Sequence, residues 1–208
     1  MLVAACATTR QTRSVEKSGF LGDYSQLREG GDDEAQLVYI DPDADFSVYN
    51  AILIDSVTLW HESDLSKIPA EELQALTDYL YSALQKELSK DYEIVNTPGV
   101  GVLRFRAAIT EAKGARVVGN VVTSVIPQLR MLSSVAGLAT DTQVFVGMSR
   151  IEAEMTDSLT NFRLMAAVDE RAGTKALRGG VGEWSEVERA FDYWAERLRK
   201  RLETLRAR

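Results

Sequence analysis

Apolar residues recur at the spacing of an amphipathic helix in two stretches of the chain. In residues 69–90 leucines follow one another every three or four positions after Pro69, which suits the first turn of a helix. Residues 184–205 carry a second apolar stripe that begins at Trp184, and basic side chains crowd its end. Positive charge suits the negative end of a helix dipole. The pattern therefore predicts two long helices.

Other stretches alternate between apolar and polar residues, as strands with one buried face do. Residues 101–110 alternate in this way. So do residues 144–155 and 162–168, which flank a turn and predict a β-hairpin. In the hairpin the alternation places Glu152 and Glu154 on the solvent face.

Two shorter apolar runs, residues 51–60 and 92–95, predict further strands. Together the elements predict an α+β, two-layer fold, with an antiparallel sheet of about four to five strands and two long helices on one face. We assign a single α+β domain to residues 37–208. Residues 7–36 are interpreted as a tether and an acidic segment, and residues 1–6 as the remnant of a lipoprotein signal.

The composition is that of an ordinary folded domain, since 45% of the 208 residues are hydrophobic and 26% are charged. The formal net charge of −7 argues against a nucleic-acid partner, because such proteins must neutralise phosphates. A single cysteine and a single histidine remove multi-cysteine metal sites and most metal or triad chemistry. We therefore expect no bound metal, no cofactor and no enzymatic activity.

The chain begins with a short apolar run, two small residues and Cys6, which resembles a bacterial lipobox. In a lipobox the small residues, here Ala4 and Ala5, precede the cleavage site and the cysteine is acylated. Ala7 rather than aspartate follows Cys6, which by resemblance to Gram-negative sorting rules implies the outer membrane. Only five residues precede Cys6, fewer than the roughly 7–15 apolar residues of a signal peptide. The alternative is a soluble protein in which Cys6 is incidental.

One carboxylate, Asp55, falls within the apolar run of residues 51–60. A buried carboxylate must be neutral or paired, and the strand predicted at residues 101–110 offers Arg104 and Arg106. We predict a buried structural ion pair between Asp55 and one of these arginines. A catalytic acid is the alternative.

Carboxylates also occupy every second position at Asp41, Asp43 and Asp45, as at the start of a calcium loop. The rest of that pattern fails, because Phe46 stands where the sharp turn needs glycine and Ile52 where a bidentate glutamate belongs. A calcium-dependent enzyme therefore stays an alternative without a complete motif.

Residues 117–140 form an apolar stretch in which Arg130 is the only charged residue. Pro127 divides the stretch, so a single straight helix is not expected. It is either a loop or short helix packed on the sheet, or an exposed surface that contacts a partner or the lipid interface. The candidate partner surface consists of Val121, Val125, Ile126 and Leu129.

Several short motifs resemble a family of uncharacterised proteobacterial envelope lipoproteins with a domain of unknown function. They are residues 19–25 (GFLGDYS), 39–46 (YIDPDADF), 98–106 (PGVGVLRFR), 151–154 (IEAE) with Asp157, and 192–195 (DYWA). The family's turn usually reads Pro-Gly-Pro-Gly, and Val100 replaces the second proline here. The resemblance implies a lipid-anchored, periplasm-facing domain without assigned activity or catalytic residues.

These observations favour a non-enzymatic lipoprotein on the periplasmic face of the bacterial outer membrane. Acylated Cys6 would supply the membrane contact, since each buried methylene contributes about 0.8 kcal/mol. The folded part is expected to bind an envelope protein or polymer. A soluble protein of unknown function and a carboxylate-based or calcium-dependent envelope enzyme are the alternatives.

Overall fold

The computed structural model describes residues 10–11, 16–60, 65, 68–113, 147–172 and 184–208. The described strands are β1 (Arg10–Gln11), β2 (Arg28–Glu29), β3 (Leu37–Ile40), β4 (Ala51–Ile54), β5 (Thr58–Leu59), β6 (Glu93–Val95), β7 (Val102–Lys113), β8 (Met148–Asp157) and β9 (Arg163–Ala172). The described helices are α1 (Ala70–Leu88) and α2 (Ser185–Arg206). A short 3-10 turn, Phe46–Val48, precedes β4.

All nine described strands belong to one sheet, in the order β2-β3-β9-β8-β7-β4-β6. β1 pairs with β9 and β5 with β7, outside this path. The long strands β7, β8 and β9 form an antiparallel centre. β3 adds to it antiparallel on the β9 side.

The sheet is mixed, so the predicted antiparallel sheet of four to five strands is wrong. β4 runs parallel to both β6 and β7. The connection from β4 to β6 passes through β5 and helix α1, and a helical crossover returns the chain in the same direction. β1, β2 and β5 have two residues each, too few to show the alternation that identifies a strand.

The main core lies between the helices and one face of the sheet. Leu80 and Leu84 of α1 and Phe191 of α2 are fully or almost fully buried there, against Ile52 and Leu103 of the sheet. Each helix buries one apolar stripe, and acidic residues in the first turn of each suit the positive end of the helix dipole.

The opposite face of the sheet is covered by the segment before β2, and this overturns the expected solvent face of the hairpin. Phe20 and Leu21 form a second core with Val168 and other residues of that face. As a consequence Glu152 has no exposed surface and Glu154 is 7% exposed. Residues 16–36, interpreted from the sequence as tether and acidic segment, therefore lie within the folded unit. The alternation in β8 does not predict this cover, because a glutamate in a strand normally marks the solvent-exposed face.

Candidate functional site

Three loops lie side by side at one end of the sheet, and we call this end the tip: residues 41–50, 97–101 and 157–162. The backbone N–H of Asn50 donates to the carbonyl of Gly101 at 3.0 Å. The hydroxyl of Ser158 donates to the carbonyl of Gly99 at 3.0 Å, and the N–H of Gly99 donates back at 3.1 Å. These bonds join the loops into one continuous surface.

The loop between β8 and β9 is organised by Asp157. Its Oδ1 accepts hydrogen bonds from the N–H groups of Leu159 and Thr160 at 3.1 and 2.9 Å. The Thr160 hydroxyl donates to the same oxygen at 2.9 Å. Asn161 has a φ of 58°, a conformation that asparagine tolerates better than most residues. The turn therefore points its apolar residues outward.

Gly101 holds the second loop against the first. Its φ is +71°, and a Cβ atom there would lie 3.0 Å from the carbonyl oxygen of Val48. Glycine is needed for both reasons, since it adopts positive φ freely and has no Cβ. The sharp turn leaves Val100 92% exposed.

Two residues fix the conformation of the loop of residues 41–50, one by burial and one by hydrogen bonding. Phe46 is buried in the main core. Asp45 caps the 3-10 turn by accepting from the N–H and the hydroxyl of Ser47, at 2.9 and 2.6 Å. Val48, at the end of that turn, projects outward and is 59% exposed.

Exposed apolar side chains concentrate at the tip. Five large hydrophobic residues are exposed in the described part of the chain, and four of them belong to the three loops. They are Val48, Val100, Leu159 and Phe162. Single exposed hydrophobic residues are ordinary, but a contiguous group is typical of an interaction surface.

Uncompensated negative charge surrounds this apolar surface. Asp41, Asp43, Asp45 and Asp157 have no ion-pair partner among the residues that the structure describes. Arg163, at the start of β9, is already engaged, because it pairs with Glu154 at 2.9 Å. The tip is therefore apolar with an acidic margin.

Hydrogen bonds lower the pKa of two carboxylates of the tip, Asp45 and Asp157. The hydroxyl and the N–H of Ser47 lower the pKa of Asp45. Burial raises the pKa of Asp157, but hydrogen bonds from Thr160, Leu159 and Tyr49 outweigh that effect, so that its pKa falls below the usual value. Burial and the nearby Asp157 carboxylate raise the pKa of Tyr49 to about 12. The Tyr49 hydroxyl stays protonated and donates to Asp157 at 3.2 Å.

The structure brings Asp55 and Arg104 together. Asp55 follows β4 directly, and its two carboxylate oxygens accept from Nε of Arg104 at 3.1 and 2.9 Å. The side chains are 24% and 43% exposed, so this pair lies at the surface rather than buried. Arg106 lies on the same face of β7, two residues further along, but it does not join this pair and instead pairs with Glu154.

Other predicted sites have different outcomes. Cys6 and the candidate partner surface (Val121, Val125, Ile126, Leu129) lie outside the described residues. Within the described ranges no group of three or more potential metal ligands occurs, and the carboxylates of Asp41 and Asp45 instead accept hydrogen bonds from their own turns. None of the helices described is long and apolar enough to cross a bilayer.

Sequence reasoning missed the tip as a site, although it singled out the three motifs that build it. Residues 39–46, residues 98–106 and Asp157 each belong to a motif that resembles the lipoprotein family, but nothing in the sequence places these motifs next to one another. Their proximity depends on the parallel pairing of β4 with β7, which the predicted antiparallel sheet lacked. The exposed Val100 within the glycine turn was the available signal, because an apolar residue between two glycines cannot be packed by its own loop.

Comparison with known proteins assigns the family. Residues 16–198 match the family model described as "Protein of unknown function (DUF3313)". The chain belongs to the DUF3313 family. This agrees with the predicted domain of unknown function, whereas the lipoprotein nature stays a prediction. No curated protein matches this DUF3313 chain significantly.

The solved structures that resemble the DUF3313 chain distantly include the following two. One is the PelC dodecamer from Paraburkholderia phytofirmans, with 12% identity, a TM-score of 0.41, and coverage of 78% of this chain and 94% of that one. The other is a neuraminyllactose-binding hemagglutinin homolog from Helicobacter pylori, with 8% identity, a TM-score of 0.39, and coverage of 79% and 86%. Similarity at this level carries no argument about the activity of the chain.

Proposed function

We propose that this DUF3313 protein is a non-enzymatic assembly module of the bacterial envelope, anchored to the outer membrane through acylated Cys6. The tip binds a protein partner on the periplasmic side. The observation that carries the proposal is the concentration of exposed apolar side chains at the tip, on three loops that hydrogen bonds hold together. An apolar surface held in one conformation costs little entropy to bind.

The chemistry of the tip indicates the kind of partner. Aliphatic side chains such as Val48, Val100 and Leu159 favour an apolar protein surface over a sugar polymer, which would need more hydrogen-bonding groups at the centre of the site. The unpaired carboxylates around them favour basic residues on the partner. They also disfavour insertion of the tip into a bilayer with anionic lipids, because like charges repel.

The position of β1 supports the proposed orientation. Arg10 of β1 pairs with Ala172, at the end of β9 that lies away from the tip. The ten residues of β9 span about 30 Å at the usual rise of a strand. Cys6 is four residues before Arg10, so an acyl group there would hold the membrane end of the molecule opposite the tip.

Metabolic labelling tests the anchor. The full-length gene product, expressed in its native host, should incorporate radiolabelled palmitate, and globomycin should cause an uncleaved precursor to accumulate. Cys6→Ser should abolish both effects. An unlabelled protein recovered in the soluble fraction would contradict the proposed anchoring.

Site-specific photocrosslinking in living cells tests the tip. A photoreactive phenylalanine analogue at Val100 should give an adduct of defined mass, whereas the same analogue at the exposed Ala75 of α1 should not. A second substitution, Phe162→Asp, should reduce the Val100 adduct about tenfold, because it places a charge in the apolar contact. Equal adducts at both positions, or none at Val100, would refute the role of the tip.

A further inference from the structure

A row of small residues crosses the helix-facing side of the sheet. In the pairing registers Ala107 lies beside Ala153, and Ala153 lies beside Ala167. Val38 continues the row on β3, as the partner of Ala167. Four adjacent strands therefore contribute three alanines and one valine in line, which leaves a trough in the surface of the sheet.

Taller residues border the trough on both sides. Phe105, Met155 and Met165 form the neighbouring row on one side, and Ile109 and Ile151 pair on the other. The helices rest on these taller rows and do not fill the space above the alanines. The result is a cavity of about 130 Å³, close to the size of engineered apolar cavities that take up benzene.

The roof of the trough is apolar as well. Leu80 and Leu84 of α1 and Trp194 and Leu198 of α2 line it. The buried carboxylate of Asp169 also lines the cavity and accepts a hydrogen bond from Nε1 of Trp194 at 2.7 Å. The apolar part of the lining favours an apolar group over water, since water in a cavity needs two to four polar partners. The flexible thioethers of methionine let the walls adjust to a ligand.

The trough meets a second, polar cavity, which we call the basin. The basin has a volume of about 230 Å³. The residues that line both cavities are Asp33, Tyr193, Arg197 and Arg201. The apolar trough and the polar basin therefore adjoin at these four residues.

The cations of the basin are only weakly neutralised. Arg201 lies 3.5 Å from Glu34, but that glutamate is held more closely by Arg28, at 2.7 and 3.1 Å. Arg197 lies 3.4 Å from Asp33, whose side chain is 94% exposed. The Arg197–Asp33 pair contributes little, because its aspartate is exposed, and Glu34 shares its charge between Arg201 and the closer Arg28. Both guanidinium groups can therefore accept an anion.

From this arrangement we infer that the protein binds an anionic amphiphile, with one aliphatic chain in the trough and its head group in the basin against Arg197 and Arg201. The trough crosses three strand spacings, about 14 Å. Each buried methylene strengthens binding about fourfold. The inference is independent of the anchor and of the tip, because it involves neither Cys6 nor the three loops.

Titration of the full chain with fatty acids tests the inference. Isothermal titration with hexanoate, octanoate, decanoate and dodecanoate should show affinity rising about fourfold per methylene until the trough is full. Dodecanol, which lacks the charge, should bind about tenfold more weakly than dodecanoate. A brominated dodecanoate should quench Trp194, which lines the trough, more than the exposed Trp60.

Matched variants locate the site. Ala153→Leu fills the trough and should weaken dodecanoate binding at least about tenfold, whereas Ala75→Leu on the exposed face of α1 should not change it. Arg201→Gln should remove the preference for dodecanoate over dodecanol, and Lys86→Gln, also exposed, should keep it. If Ala153→Leu does not fold, Ala167→Val replaces it, and the quenching of Trp194 in the unaltered chain decides in any case.

Two sources of the ligand are distinguished by competition. A free fatty acid is indicated if dodecanoate has the lower dissociation constant in competition with lysophosphatidylglycerol, and a lipid is indicated if lysophosphatidylglycerol has the lower one. No saturable binding of either, or binding that Ala153→Leu leaves unchanged, would overturn the inference.

Discussion

The packing of the segment before β2 on the sheet face opposite the helices can be tested by removing the ring of Phe20. This ring is 8% exposed. It makes an edge-to-face contact with Trp60, with ring centroids 5.5 Å apart, and the guanidinium of Arg106 lies 4.7 Å from its centroid. Phe20→Ala removes both contacts together with the burial of the ring, and leaves a gap between the segment and the sheet.

The expected cost follows from these contacts. Deleting a buried phenylalanine side chain costs about 3–5 kcal/mol, aromatic and cation–π contributions included. The second core is small and can partly collapse, so we expect the lower end, about 3 kcal/mol. Urea denaturation followed by circular dichroism measures this directly as a loss in the free energy of unfolding.

The same substitution at an exposed phenylalanine serves as a matched control for the loss of packing. Phe162 at the tip is 58% exposed, and Phe162→Ala should change the free energy of unfolding by less than about 0.5 kcal/mol. If Phe20→Ala costs no more than Phe162→Ala, the segment does not pack on the sheet, and the explanation for the buried Glu152 and Glu154 fails.

Two further predictions concern the turns and the acid response. Gly101→Ala should lower the free energy of unfolding by at least about 1–2 kcal/mol, because alanine there combines a positive φ with a steric clash. Gly31→Ala meets no such constraint and should leave the free energy of unfolding nearly unchanged in the same urea denaturation assay. The hydrogen bond from Arg28 lowers the pKa of Glu34 to about 2 from 4.5. Because folding depresses the pKa of Glu34, the ionised carboxylate stabilises the folded state above the unfolded pKa of 4.5. This stabilisation should be lost as the pH falls from about 4.5 to 2. We expect a loss of about 1 kcal/mol in the free energy of unfolding, because Arg28 is exposed and solvent screens the pair. Arg28→Gln should remove that part of the acid response, and an unchanged pH profile of melting temperature would contradict it.

The long elements of this fold can be read from the sequence. The helix predicted at residues 69–90 is observed as Ala70–Leu88, and the apolar stripe from Trp184 becomes Ser185–Arg206. The hairpin strands and their turn also appear where the alternation places them. Each of these segments is long enough for its own periodicity to identify it.

The features of the fold that the sequence did not predict depend on contacts between segments far apart in the chain. The run at residues 51–60 divides into β4 and β5 around Asp55, where the pair with Arg104 takes the carboxylate to the surface. The direction of β6 was implied by the strand–helix–strand order, but the hairpin elsewhere suggested an antiparallel sheet. The burial of Glu152 requires Ser18 and Tyr24, which donate hydrogen bonds to its carboxylate across more than a hundred residues.

The ends of β7 and β8 have a consequence for how the chain can vary. Lys113 and Met148 are partners in the last pair of their ladder, so these ends of β7 and β8 lie side by side. A short hairpin turn between the two ends could therefore replace the residues that connect them without altering the register of any strand. Whatever those connecting residues contribute could be exchanged or removed while the described framework is kept.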